Sequence, residues 1–183
     1  KKNALEVASY ASAVSKMMGT TVTAVAFNST DNELLGDYGV SKILNVKDES
    51  LAIFNAGAYA ASIAQAAKST EAKVVILSSS TDTKYLAPLL AAKLSAGYTP
   101  NVVQAPESTS PFMVKRTAFS NKGFAHTQID TDIKIIGVSN NAFGAHESKT
   151  AITVEEINGT SDENTNNTKS VEIDKVVGKA TIA

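Results

Sequence analysis

The stretch from Lys73 to Gly97, KVVILSSSTDTKYLAPLLAAKLSAG, constrains the fold more than any other part of the chain. Val74 to Leu77 is an unbroken run of branched apolar residues. Such a run predicts a strand covered on both faces, the condition found inside a parallel sheet. Three serines follow it, and Tyr85 to Leu94 then reads as a helix with Leu86, Leu89, Leu90, Ala91 and Leu94 along one side. Asp82 or Thr83 is placed to cap that helix, since a short side-chain oxygen accepts a free amide proton of the first turn. Strand, polar turn and helix form the half-unit of open α/β sheets, whose ligand crevices lie beyond the carboxyl ends of the strands. A small-molecule site is therefore expected first around Ser78, Ser79, Ser80 and Lys84, where helix-start amides and one cation could hold an anion. The competing reading of the same residues is a polar turn with a capping side chain.

The rest of the chain fits this frame. Lys1 to Met18 reads as a helix stopped by Gly19. An α/β domain rarely opens on a helix, so a strand ahead of it, outside this chain, is expected. Thr21 to Phe27 is a β-branched, apolar strand. Asp31 to Tyr38 is a helical turn and Lys42 to Val46 a short strand. Ser50 to Lys68 reads as one Ala-rich helix with Leu51, Phe54, Ala58 and Ala61 on one face.

After Asn101 the pattern changes. Asn101 to Ala105, Phe112 to Phe119, Phe124 to Ile129 and Ile133 to Val138 read as strands, with Asn121 to Gly123 as a hairpin. Ser139 to Thr150 is a polar loop around Phe143-Gly144. Ala151 to Ile157 is a strand, and Val171 to Val177 is a possible last strand pairing with it across the polar stretch Gly159 to Thr168. Helices alternate with strands up to residue 100 and strands then follow one another. That order predicts an α/β fold: a mostly parallel three-layer sheet with helices on both faces, extended by antiparallel strands.

Composition narrows the functions. At 43% hydrophobic residues the 183-residue chain can bury a core, and 17 basic against 18 acidic side chains, without a basic stripe, disfavour nucleic acid. The absence of Cys removes disulfides, thiolate metal sites and thiol nucleophiles. No apolar stretch approaches the roughly 20 residues a bilayer requires, so no membrane insertion is expected, and a cytoplasmic protein is. His126 and His146 stand alone in sequence, which favours structural roles over metal ligation. Glu155 and Glu156 point to opposite faces of a strand, as do Lys115 and Arg116. No P-loop, nucleophile elbow or Gly-x-Gly-x-x-Gly is present. No catalytic residue and no metal site emerge.

Several stretches resemble the N-terminal domain of the alpha subunit of electron transfer flavoproteins. Leu86-Ala87-Pro88 running into Leu90-Ala91-Ala92-Lys93-Leu94 resembles that family's Asp-Leu-Ala-Pro-Arg-x-Ala-Ala-x-Leu helix. Tyr38-Gly39-Val40-Ser41-Lys42-Ile43-Leu44 resembles its Tyr-Gly-Ala-Asp-Lys-Val-Leu segment. Phe112 to Thr127 is similar to its Phe-x-Arg-Pro-x-Tyr-Ala-Gly-x-Ala strand pair, and Ala142-Phe143 to the Ala-Phe closing the next strand. The matches run in the family's order from Leu5 to Phe143. Tyr85, Leu89, Ser120-Asn121 and Ser139 depart from the pattern, Leu89 standing where Arg is frequent.

The resemblance implies an adenine nucleotide alpha hydrolase-like fold and a division into residues 1–157, the N-terminal domain, and 158–183, a connector towards an FAD domain. It implies an electron carrier rather than an enzyme. Its partners would be a beta subunit and, through the complete heterodimer, flavoprotein dehydrogenases. FAD would be bound by the full-length protein, with no FAD residue in this chain. The alternative is a stand-alone adenine-nucleotide-binding, stress-type module using Ser78 to Lys84.

Overall fold

The computed structural model describes residues 2–160. Helix α1 (Lys2–Met18) ends at Gly19, whose φ of 65° places it in the left-handed region open to glycine. Strand β1 (Thr23–Phe27) pairs in parallel with β2 (Lys42–Lys47), a 3₁₀ turn (Glu33–Asp37) lying between them in sequence. Helix α2 (Ala56–Ser69) leads to β3 (Val74–Ser78), and α3 (Thr81–Leu94) leads to β4 (Gly97–Val102). Then come β5 (Ser108–Thr109), β6 (Phe112–Ala118), β7 (Gly123–Gln128), β8 (Lys134–Val138) and β9 (Thr153–Asn158).

The strands form two sheets. One is parallel throughout, in the order β1-β2-β9. The other runs β3-β8-β4-β6-β5, with β7 beside β6; β3, β8 and β4 are parallel and β6 turns antiparallel to β4. The α/β class and the antiparallel extension are as the sequence predicts. The antiparallel part is confined to β5, β6 and β7, however. Strand β8 returns to insert in parallel between β3 and β4, and β9 returns to the far edge beside β2.

Helices cover both faces. On one side α2 and α3 share a core with Val25 and Phe27 of β1, Val75 and Leu77 of β3 and Ile135 of β8. On the other, α1 puts Ala8 against Val22 and Ile43, and Tyr10 and Val14 against Val102, Phe112, Ile136 and Val138. Val74 and Ile76 join this second group, so β3 is packed on both faces as its unbroken apolar run requires. Every β3 residue is nonetheless only half-buried, because one edge of the strand has no neighbour among the described strands.

Three boundaries and the placement of Leu89 differ from expectation. The long helix over Ser50 to Lys68 is split into a 3₁₀ turn (Glu49–Leu51) and α2. Asp48 accepts from Ser50 N at 2.9 Å, and Asn55 restarts the chain as the α2 cap by accepting from Ala58 N at 3.1 Å. Helix α3 begins at Thr81 rather than Tyr85, and its cap is Ser80, not Asp82 or Thr83. Leu89 is exposed instead of lying with the buried Leu86, Leu90 and Leu94. Strand β4 starts at Gly97, before the expected Asn101, because Ser95 caps α3 in a left-handed turn (φ 50°) that feeds directly into the sheet. The expected strand Val171 to Val177 lies outside the described residues.

Candidate functional site

The turn from Ser78 to Lys84 stands at the carboxyl end of β3, as expected. Its polar groups are mostly spent on the turn itself. Ser80 Oγ accepts from Thr83 N at 3.2 Å, and Thr83 Oγ1 donates to the Ser78 carbonyl at 2.5 Å. Ser79 N donates to Val138 O at 2.8 Å, tying the turn to the end of β8. Asn140 Nδ2 donates to Ser79 O at 3.4 Å. Ser79 Oγ is buried without a partner, the Ser78 hydroxyl makes no hydrogen bond among the described residues, and Lys84 is exposed with none either. Aromatic side chains lie near the turn on the α2 side. Phe27 and Tyr59 stack with centroids 4.0 Å apart, and burial, then the Asp82 carboxylate, raises the pKa of the Tyr59 phenol.

The adjacent loop after β8 holds a carboxylate that the sequence did not point to. Glu6 of α1 is buried, and it accepts from Asn141 N (2.8 Å), Phe143 N (2.9 Å) and Gly144 N (2.9 Å). Burial alone would favour the neutral acid. The backbone N–H groups of Gly144, Asn141, Phe143 and Ala142 outweigh it and hold the carboxyl below its ordinary value of 4.5. The loop can converge its amides because Asn141 (φ 60°) and Gly144 (φ 82°) take left-handed conformations. Ser9 continues the attachment, accepting from His146 N at 2.8 Å and donating to His146 O at 3.2 Å. Tyr10 meets Phe143 edge-on at 5.2 Å. The only hint in the sequence was a lone Glu inside an apolar helix face, opposite an Asn-Asn-x-x-Gly loop.

The remaining candidates play bonding roles. His146 packs edge-on against Phe143 and has Nε2 2.9 Å from the Phe143 carbonyl oxygen. His126 Nδ1 is 2.8 Å from Glu107 Oε2 at the surface. Glu155 pairs with Lys42 at 2.7 Å and Glu156 with Lys47 at 3.5 Å, across the β2–β9 ladder. Arg116 Nε donates to Thr127 Oγ1 at 3.1 Å, while Lys115 Nζ sits 4.6 Å from the Phe124 ring centroid. No cluster of metal-ligating side chains occurs among the described residues. No helix among them is long and apolar enough to cross a membrane. The most exposed large apolar side chains are Phe119 (82%), Tyr85 (66%) and Phe124 (63%); Leu89, one turn beyond Tyr85 on α3, is also exposed.

A family model for the Electron transfer flavoprotein domain matches residues 1–176, nearly the whole chain. The chain belongs to this family. No curated protein matches it.

Electron transfer flavoproteins bind FAD and assemble as heterodimers. The described residues do not fit the diphosphate of that cofactor. The backbone nest at Asn141 to Gly144, which could hold a phosphate, is filled by the chain's own Glu6 carboxylate. At the start of α3 the Thr83 amide is taken by Ser80, and Lys84 is the one cation of the turn.

Proposed function

We propose that residues 1–157 are the N-terminal α/β domain of an electron transfer flavoprotein alpha subunit, with 158–183 a connector towards an FAD-carrying domain. In this reading the complete protein is cytoplasmic and assembles with a beta subunit. It takes electrons onto FAD from flavoprotein dehydrogenases and delivers them to an acceptor. This domain contributes assembly rather than redox chemistry, and it has no catalytic residue.

The observation that carries the choice of alpha over beta is the ordered motif series, whose residues occupy structurally demanding positions. Leu86, Ala87, Leu90 and Leu94 of the Leu-Ala-Pro helix face the core. Gly39 of the Tyr-Gly segment has φ 91° and lies where a Cβ would come 2.3 Å from Ser12 Oγ. Ala142-Phe143 lies in the loop clasped by Glu6. Tyr85 and Leu89 of α3, both departures from the family pattern, are exposed apolar side chains that a subunit partner would cover, as are Phe119 and Phe124 at the β6–β7 hairpin.

The test is association. In the full-length protein, Leu89→Asp and Phe124→Ser, both at exposed positions, are expected to leave the melting temperature unchanged and to weaken co-purification of the second subunit about tenfold or more. Unaltered assembly in both variants would contradict this use of the surface. The Ser78 and Ser79 hydroxyls and Lys84 are the side-chain groups of the β3–α3 turn left for an anion. A calorimetric titration with AMP should give no binding to this chain alone. Tight binding would favour a stand-alone nucleotide-binding module instead.

A further inference from the structure

After β9 the chain is guided onto α2 in two steps. Gly159 passes where a Cβ would come 2.6 Å from Asp48 Oδ2 and 2.8 Å from Leu51 Cδ1, a close approach to the turn ahead of α2 that glycine permits. Thr160 then lies on α2 itself. Its N–H donates to Ser62 Oγ at 3.0 Å, Ser62 Oγ donates back to its carbonyl at 3.4 Å, and Thr160 Oγ1 donates to Gln65 Oε1. The contacts advance from residues 48–51 to residues 62–65, so the chain is travelling along α2 towards its carboxyl end. Ahead of it lies an open groove of about 660 Å³, lined by Thr160, by the buried Ala61 and Ala64 and the exposed Lys68 of α2, and by the exposed Lys93 of α3. Neither lysine has an ion pair or hydrogen bond among the described residues.

A lysine in the last turn of a helix is favoured by the helix dipole, so Lys68 and Lys93 alone identify no ligand. The sequence that arrives beside them does, because Ser161-Asp162-Glu163 follows Thr160 directly. We propose that this segment occupies the groove, with the carboxylates of Asp162 and Glu163 against the ammonium groups of Lys68 and Lys93, so that the chain after β9 is clasped to the helical layer and leaves it in a set direction. The reach is sufficient. Two and three extended residues span roughly 7 and 10 Å, whereas Gln65 to Lys68 is a rise of roughly 4.5 Å along α2. Ala61 and Ala64 are small enough to let a backbone lie close to the helices. Neighbouring side chains of an extended segment point to opposite sides, which suits one cation on α2 and one on α3. A free anion or a second chain would compete with carboxylates tethered at an effective concentration on the order of millimolar. Exposed ion pairs are individually weak, so the clasp depends on two of them adding to an already anchored Thr160. The inference concerns how the chain leaves α2 and holds whichever subunit this is.

The test is zero-length carbodiimide coupling of carboxylates to amines on the full-length protein at low concentration, read by mass spectrometry of its peptides. Asp162 and Glu163 should couple within one chain to Lys68 and Lys93 at least about fivefold more than to Lys47, which stands opposite Asn158, or to Lys84 near the other end of α3, the upper end of what an exposed ion pair supports. Raising the salt to about 0.5 M shortens the screening length to about 4 Å and should remove most of the preference. In a Lys68→Gln, Lys93→Gln double variant, cleavage after Glu163 by a Glu-specific protease should accelerate about fivefold or more at an unchanged melting temperature. Coupling to Lys68 and Lys93 no greater than to Lys47 and Lys84 would overturn the proposal, as would cleavage that the double variant leaves unaltered. Coupling of the two lysines only to carboxylates of a second copy, or only to those of another subunit, would assign the groove to that occupant and overturn it equally.

Discussion

Glu6→Ala removes a buried acceptor from under three backbone donors, and its cost can be worked from the geometry. Asn141, Phe143 and Gly144 each donate to the carboxylate at 2.8–2.9 Å. Hydrogen bonds to a charged group contribute about 1.5–3 kcal/mol each, but three bonds to one carboxylate are not additive, and water can re-enter a loop whose outer side is exposed. A loss of about 3 kcal/mol is expected. Glu6→Gln retains the oxygen that serves Phe143 and Gly144 and sets an amide NH₂ against the Asn141 donor, costing about 1.5–2 kcal/mol. The pH dependence separates this from a packing effect. The carboxyl is held below 4.5 in the folded protein, so its stabilisation is complete above that pH and is lost as pH falls through the folded pKa. Urea denaturation at pH 7 and at successive steps below pH 4.5 should show the gap between wild type and Glu6→Gln narrowing towards acid. A loss under about 0.5 kcal/mol for Glu6→Ala, or a gap that is independent of pH, would refute the role assigned to the carboxylate.

Three further substitutions probe the frame around it. Tyr10 is fully buried with an unpartnered hydroxyl, and burial pushes its phenol pKa up, so Tyr10→Phe should be neutral or stabilising by up to about 1 kcal/mol in thermal melts. Gly39→Ala adds a Cβ 2.3 Å from Ser12 Oγ at a φ of 91°, and should cost about 2–4 kcal/mol, only part of which Ser12→Gly restores because the backbone strain remains. Ser80→Ala should cost about 1 kcal/mol through loss of the α3 cap, whereas Asp82→Ala should cost less than half as much, an order that denaturation midpoints will check.

The elements that the sequence made legible are those whose signal is local. The apolar run at Val74 to Leu77 and the left-handed stop at Gly19 carry their structure in adjacent residues. Boundaries slipped where a short polar side chain overrode the periodicity, as Asn55 does inside the Ala-rich segment. Long-range pairing was less visible. Nothing near Ile133 or Thr153 says that β8 inserts between β3 and β4, or that β9 crosses to β2. The serine turn is legible because strand ends gather polar residues, but the extent to which its groups serve the turn itself is set by the folded geometry. Glu6 gives no sequence signal because its partners are backbone amides from 135 to 138 residues away, and backbone donors leave no mark in a sequence.

The central claim is that this family member is the N-terminal part of an alpha subunit. The most direct measurement is an absorption spectrum of the full-length protein, co-expressed with the product of the adjoining gene and purified through a tag on one chain alone. The account predicts two chains in equal amounts with the visible and near-ultraviolet bands of oxidised flavin. A colourless single chain would contradict it.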